Sequence, residues 1–143
     1  MKFGIGVQSE QWVQDWLAEC IETYRQTPGY GHQAVVVKAS QETIGYCGLT
    51  RYPDVNGQPE TEIGYRLIRE HWGRGYATEA VSAVRDFGFE RVGLRRLVAM
   101  IDPQNTASIR VAEKVGMHYE QDVMLEGYTH SDGEYAVERV APR

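Results

Sequence analysis

One segment limits the fold more than any other: an alternating stretch that runs through two glycines into a helical repeat. Over residues 61–68, Ile63, Tyr65 and Leu67 fall on one face and Glu62, Gly64 and Arg66 on the other, the period of a strand. After His71-Trp72-Gly73-Arg74-Gly75-Tyr76 the period changes. Ala80, Val81, Val84, Phe87 and Gly88 line one face of a helix predicted over 77–91, and Gly93 follows as its stop. The first turn of such a helix offers unpaired N–H groups and a positive dipole end, which suit a phosphate or pyrophosphate. Gly73 and Gly75 bring no side chain to block approach, Ala77 keeps the first turn open, and Arg74 adds a charge-assisted contact. The loop is not a Walker loop, lacking Gly-Lys-Ser/Thr. Nor is it a full dinucleotide fingerprint, lacking the third glycine and the acidic strand that follows it. Alone, it reads equally as an anion cradle or as a plain strand-to-helix turn.

The remaining segments build around that unit. Trp12, Trp16, Leu17, Cys20, Ile21 and Tyr24 define the apolar face of a helix over 9–27, with Ser9 as N-cap and Pro28-Gly29 as terminator. Residues 34–38 and 44–50 form a hairpin across the polar turn 40–43. Residues 52–59, with two prolines, Asp54, Asn56 and Gly57, read as a loop. A strand is predicted over 96–101, and Asn105 caps a third helix that runs to Val115 and closes at Gly116. Two last strands, over 117–126 and 135–140, flank a loop carrying Ser131-Asp132-Gly133. The expected fold is an α/β sandwich around a mixed, largely antiparallel sheet, as one domain over 1–143. The net charge of −5 lacks the basic surplus of a nucleic-acid binder. The longest apolar run, 97–101, is too short to cross a bilayer, and Met1-Lys2-Phe3 leads into no signal-peptide core. Cys20 and Cys47 are too few for a disulfide scaffold and read as core residues of a reducing compartment, so the expectation is a cytoplasmic protein.

Glu62-Ile63-Gly64-Tyr65-Arg66-Leu67, followed by Trp72-Gly73-Arg74-Gly75-Tyr76-Ala77-Thr78-Glu79-Ala80, resembles the signature of the GNAT superfamily of acyl-CoA-dependent N-acetyltransferases. It is most similar to the branch that acetylates ribosomal-protein N-termini and to that branch's small-molecule relatives. A second block, Asn105-Thr106-Ala107-Ser108 with Glu113-Lys114-Val115-Gly116-Met117, supports the resemblance in the family's order. The resemblance implies that the amides of Gly73, Arg74, Gly75, Tyr76, Ala77 and Thr78 hold the pyrophosphate of acetyl-CoA. It implies that the backbone near Leu67 and Ile68 pairs with the pantetheine arm where two strands splay apart. Asn105 would hydrogen-bond the pantetheine, and Ile101 and Asp102 would line the acyl end of the cleft.

Acetyl transfer to an amine requires a base for the amine proton, a donor to the thioester oxygen and stabilisation of the leaving thiolate. Glu62 is the leading base, on the strand entering the loop; the alternative is a strand glutamate paired with Arg66. Glu126 and Glu134 are the next candidates. The tyrosine that many members carry seven residues after the asparagine is replaced here by Ala112. Ser108 matches a serine of the ribosomal-protein branch placed to bond the thiolate sulfur, or else is simply a tolerated first-turn residue. Tyr119 and Tyr128 are substitutes. Trp72 departs from the polar residue usual in the loop. The family's first strand and helix are missing before the Trp12 helix, so sheet completion favours a homodimer. The four histidines show no ligand spacing, and no metal is expected.

The expected function is transfer of acetyl from acetyl-CoA to an amine-bearing small molecule or a protein N-terminus by direct attack in a ternary complex. Asp54, Glu60 and Glu62 near the cleft mouth lean toward a cationic acceptor. The alternative is a non-catalytic CoA-binding or sensor domain.

Overall fold

The computed structural model describes residues 7–140; the Met1-Lys2-Phe3 start lies outside them. The elements run α1 (Glu10–Gln26), β1 (Gly31–Val36), β2 (Thr43–Val55), β3 (Gln58–Leu67), α2 (Tyr76–Phe87), β4 (Arg96–Ile101), α3 (Thr106–Lys114), β5 (His118–Val123) and β6 (Asp132–Glu138). The six strands form one sheet in the order β1-β2-β3-β4-β6-β5. Every neighbouring pair is antiparallel except β3 with β4, which makes the sheet mixed and largely antiparallel, as expected.

The period switch is where the sequence places it. α2 begins at Tyr76 behind Gly75, whose φ of 86° is left-handed, a conformation that disfavours a side chain. α2 passes into a wider π-helical turn, Gly88–Val92, and stops at Gly93. On this side of the sheet lies the core: Cys47, Leu49, Ile63, Val81, Leu97, Ile101, Ala112, Val115 and Met117. Burial pushes the Cys47 thiol up to about 12, so it stays protonated and packs as a small apolar group. Ser9 caps α1 as expected, its hydroxyl accepting from the Trp12 amide at 3.1 Å. Of the apolar face of α1, however, only Trp16 and Cys20 are partly covered. Trp16 packs on Tyr46 and His32 with ring centroids 4.9 and 5.6 Å away. Leu17, Ile21 and Tyr24 remain exposed.

Two expectations are corrected. Residues 52–59 are not a loop: β2 continues to Val55, turns on Asn56-Gly57, and returns as β3 with Gln58 opposite Val55. Asn56 and Gly57 have φ of 49° and 94°, the two-residue turn whose twist matches the strands it joins. Asp54 Oδ1 accepts from the Gly57 amide at 2.8 Å. Pro53 and Pro59 fall in the irregular part of the ladder between Tyr52 and Val55, where a missing N–H costs little. Asp132 and Gly133, read as loop residues, are buried and open β6.

The face of the sheet opposite the core carries a buried ion network. Arg96 Nε donates to both oxygens of Glu60 at 3.1 Å. Its other nitrogens reach Glu120 at 2.9 and 2.6 Å and Glu134 at 3.4 Å. Glu60 is 4% and Glu134 0% exposed, so one guanidinium compensates two carboxylates that water cannot reach.

Candidate active site

The site forms where the sheet loses its ladder. β3 and β4 are parallel, and a single registered pair joins them, Glu62 opposite Val98. Past that pair the Met100 amide does not find a β3 carbonyl. It donates to Glu62 Oε2 at 3.0 Å, so a side chain closes the gap the backbones leave. The Tyr52 hydroxyl, on the neighbouring strand, also acts on this carboxyl and lowers its pKa. Burial nevertheless dominates and, with the charge of Asp132 adding to it, pushes the Glu62 pKa up to about 7. A carboxyl poised near neutrality on a strand edge is suited to exchange a proton with a reacting group. The Glu62 carboxyl meets the Met100 amide and burial is the first cause of its shift, the setting of an enclosed carboxyl.

Beyond Leu67 a short 3₁₀ turn, Arg69–His71, leads into the loop. Trp72 Nε1 donates to the Leu67 carbonyl at 2.8 Å, with the Arg69 guanidinium 5.5 Å from the indole ring. The Ile68 amide donates to the Ile44 carbonyl at 2.8 Å. Two of the backbone groups expected to meet a pantetheine arm are therefore satisfied within the chain. Gly73, Arg74 and Gly75 are exposed, and a Cβ built on either glycine would meet nothing within 4 Å. Gly75 caps α2 without a side-chain acceptor, and the helix ladder begins only with Glu79 N–H donating to the Gly75 carbonyl at 3.0 Å. The amides of Tyr76, Ala77 and Thr78 thus belong to an uncapped first turn. His71 has a side chain only 13% exposed and packs on Tyr76 with centroids 5.8 Å apart.

Ser108 and Asn105 meet in the first turn of α3. Asn105 Oδ1 accepts from the Ser108 amide at 3.2 Å, so Asn105 is first of all the N-cap of this helix. The Ser108 hydroxyl lies 3.1 Å from the Tyr65 hydroxyl. Tyr65 escaped the sequence reading because its alternation assigned it to the apolar core face, where most of its ring does pack; its phenol was the available clue. The other candidates lie elsewhere. Tyr119 is exposed and donates to Asp122 Oδ1 at 2.8 Å, Glu126 is exposed after β5, and Glu134 is locked onto Gln121 and Arg96. Asp54 and Glu60, expected at the cleft mouth, serve the hairpin turn and the Arg96 network instead.

A different cluster gathers beside Glu62. Asp102, at the end of β4, and Asp132, opening β6, both approach His130: Nε2 is 3.1 Å from Asp102 Oδ2 and 3.3 Å from Asp132 Oδ1. Donor atoms of the three lie within 4.8 Å of one another, a grouping that histidine spacing along the chain gave no sign of. Tyr128 stacks edge-on with His130 at 5.8 Å. Burial, with the charges of Asp132 and Glu62, raises its hydroxyl pKa.

A mixed sheet that opens at one parallel pair, with an uncapped helix beside the opening, is the architecture of an acyltransferase cleft, and comparison with known proteins agrees. The family model described as "Acetyltransferase (GNAT) domain" matches residues 1–118. The chain belongs to the GNAT acetyltransferases. It is 38% identical over 125 residues to the uncharacterized protein YkkB of Bacillus subtilis, covering 86% of this chain and 70% of that one. It is 37% identical over 100 residues to the uncharacterized N-acetyltransferase p20 of Bacillus licheniformis, 70% of this chain but 54% of that protein, so it spans about half the length of that relative. Spermidine N(1)-acetyltransferase of Escherichia coli is 29% identical over 70% of this chain and 52% of its own. Among solved structures, an acetyltransferase of Agrobacterium tumefaciens superposes with a TM-score of 0.77 at 29% identity, over 94% of this chain and 75% of that one. Ribosomal-protein-S5-alanine acetyltransferase of Vibrio fischeri shares the fold, with a TM-score of 0.70 at 24% identity over 90% and 71%. Among the described residues no helix is long and apolar enough to cross a membrane.

Proposed function

We propose that the chain transfers the acetyl group of acetyl-CoA to a primary amine by direct attack. The observation that carries this reading is the Glu62 carboxyl, held in the opening between β3 and β4 by the Met100 amide and with its pKa near 7. A base with that pKa can take a proton from an ammonium, directly or through a water, at physiological pH. The freed amine attacks the thioester carbonyl, the C–N bond forms, and the C–S bond breaks. The departing thiolate takes a proton from the Tyr65–Ser108 hydroxyl pair, which regains one as the attacking nitrogen sheds its extra proton to become the amide, with the N-terminus of α3 favouring the developing negative charge. The exposed loop Gly73–Gly75 and the first amides of α2 would hold the pyrophosphate, with Arg74 adding charge. The Leu67 carbonyl, which accepts from the Trp72 indole, keeps a second lone pair for the pantetheine. The sequence relationship to a spermidine acetyltransferase and the fold shared with ribosomal-protein acetyltransferases support an amine-bearing acceptor, whether a small molecule or a protein N-terminus.

The test is release of free thiol from acetyl-CoA with a panel of amines, comparing the wild type with Glu62→Gln. Turnover that falls about 10²-fold or more in the variant, with CoA binding kept, supports the assignment. Tight CoA binding without turnover of any peptide, polyamine, aminoglycoside or amino acid would instead identify a CoA sensor.

A further inference from the structure

The buried carboxylates of this protein fall into two groups with different compensation. Glu60 and Glu134 share Arg96, a permanent cation. Asp132 is just as deeply placed, 4% exposed, yet has no such partner. Its Oδ1 is buried without a hydrogen bond, as is Glu134 Oε2, but where Glu134 has the Arg96 guanidinium, Asp132 has His130, whose Nε2 stands 3.3 Å away and closer, at 3.1 Å, to Asp102. One imidazole nitrogen has one proton to give, whereas the two carboxylates facing it offer several lone pairs. A buried carboxylate oxygen left without a donor is costly, which marks the place where a donor from outside belongs.

The surroundings specify that donor. Asp132 lies close enough to Glu62 for its charge to act on the Glu62 carboxyl. The Tyr128 ring stands over His130, and its hydroxyl senses Asp132, Glu62 and Arg66. Tyr52, on β2, acts on the Glu62 carboxyl as well. Three carboxylates, Glu62, Asp102 and Asp132, therefore converge with two tyrosines. The facing cations are His130, which is charged only when protonated, and Arg66, which sits by Tyr128. Carboxylates with aromatic rings around them recognise an alkylammonium, through charge-assisted hydrogen bonds and the faces of the rings.

Building on the acetyl-transfer reading, we infer that Asp132 and Asp102 form a subsite for a second cationic nitrogen of the acceptor, so that the preferred acceptor is a small diamine or polyamine. One nitrogen faces Glu62 and the acetyl group, and the other donates to the unsatisfied oxygen of Asp132. A doubly cationic acceptor offsets the clustered negative charge, which a monoamine of the same length leaves in place.

The experiment compares butane-1,4-diamine with butylamine, equal in carbon chain and differing in the second charge. Calorimetric binding with CoA present and acetylation are both measured. The wild type is expected to favour the diamine about 10- to 100-fold, the range of one charge-assisted hydrogen bond. Asp132→Asn keeps the shape and removes the charge, and is expected to bring the ratio toward one. Should that variant fail to fold, Asp102→Asn, at a half-buried position, is expected to lower the ratio as well. Diamine-selective binding without turnover of either amine would sustain the subsite while refuting acetyl transfer. Equal affinity for the two amines would overturn the inference, as would a preference unchanged by both variants. Tight binding of Mn²⁺ or Zn²⁺ that Asp132→Asn abolishes, with no amine selectivity, would overturn it in favour of a metal site.

Discussion

Replacing Glu62 with glutamine separates two consequences of its burial. The carboxyl titrates near 7 in the folded protein against an ordinary value of 4.5. At about 1.4 kcal/mol per tenfold change in proton affinity, ionising it costs the folded state about 3 kcal/mol. Because the folded pKa is raised, the native state holds its proton over a range where the unfolded chain has lost it. The associated stability is complete below about pH 4.5, declines as the pH rises toward about 7, and is gone above it. Glutamine cannot ionise and removes this slope. The bond from the Met100 amide is already counted in that pKa, so glutamine, which matches the protonated carboxyl, incurs no separate loss. The net expectation at about pH 8 is a variant more stable by about 3 kcal/mol, raising Tm by about 6–12 °C in a chain of this size. At about pH 4 the two proteins should melt together. Thermal melts across this range, with acetylation assayed in parallel, give both readouts. Activity should fall about 10²-fold or more while stability at alkaline pH increases, the opposition expected of a strained functional group. If the variant is less stable than the wild type at both ends of the range, Glu62 is a structural anion and the assignment of a poised base is refuted.

Three further outcomes follow from the geometry. Arg96→Leu leaves Glu60 and Glu134 buried without their cation and should destabilise the fold by about 3–5 kcal/mol at neutral pH in urea titrations, and by less where the carboxylates can protonate. Gly75→Ala forces a side chain onto a φ of 86°; a stability loss of about 1–2 kcal/mol and weakened CoA binding by calorimetry are expected. Ser108→Ala should reduce kcat about 10-fold or more with CoA affinity nearly unchanged. Tyr65→Phe should show a similar loss, and combining the two should cost less than the product of the separate effects, because they act through one contact of 3.1 Å.

What was legible in the sequence is what local period and punctuation can encode. The alternation at 61–68, the helix behind Gly75, the caps at Ser9 and Asn105 and the stops at Gly93 and Gly116 all appear in place. The Asn56-Gly57 hairpin was legible too, but the flanking prolines outweighed it; they lie in an irregular stretch of the ladder that tolerates them. Glu62 was recognisable as a residue, whereas its perturbation was not, since that depends on the Met100 amide 38 positions away. The meeting of Tyr65 with Ser108, and of Asp102 with His130 and Asp132, likewise arises from packing between distant segments. Arg96 carried no local sign of its role, because its partners Glu60, Glu120 and Glu134 come from three other strands or their edges.

The single registered pair between β3 and β4 also divides the sheet mechanically. On one side lie β1, β2 and β3, on the other β4, β6 and β5, each a three-stranded antiparallel unit with its own ladders. The seam between them is stitched by Glu62 twice, through its backbone opposite Val98 and through its carboxylate on the Met100 amide. The Met100 amide proton is therefore a sensor of the seam. Its hydrogen exchange reports both the ionisation of Glu62 and the breathing of the two half-sheets, and a molecule lodged between them would slow that exchange by acting as a seventh strand.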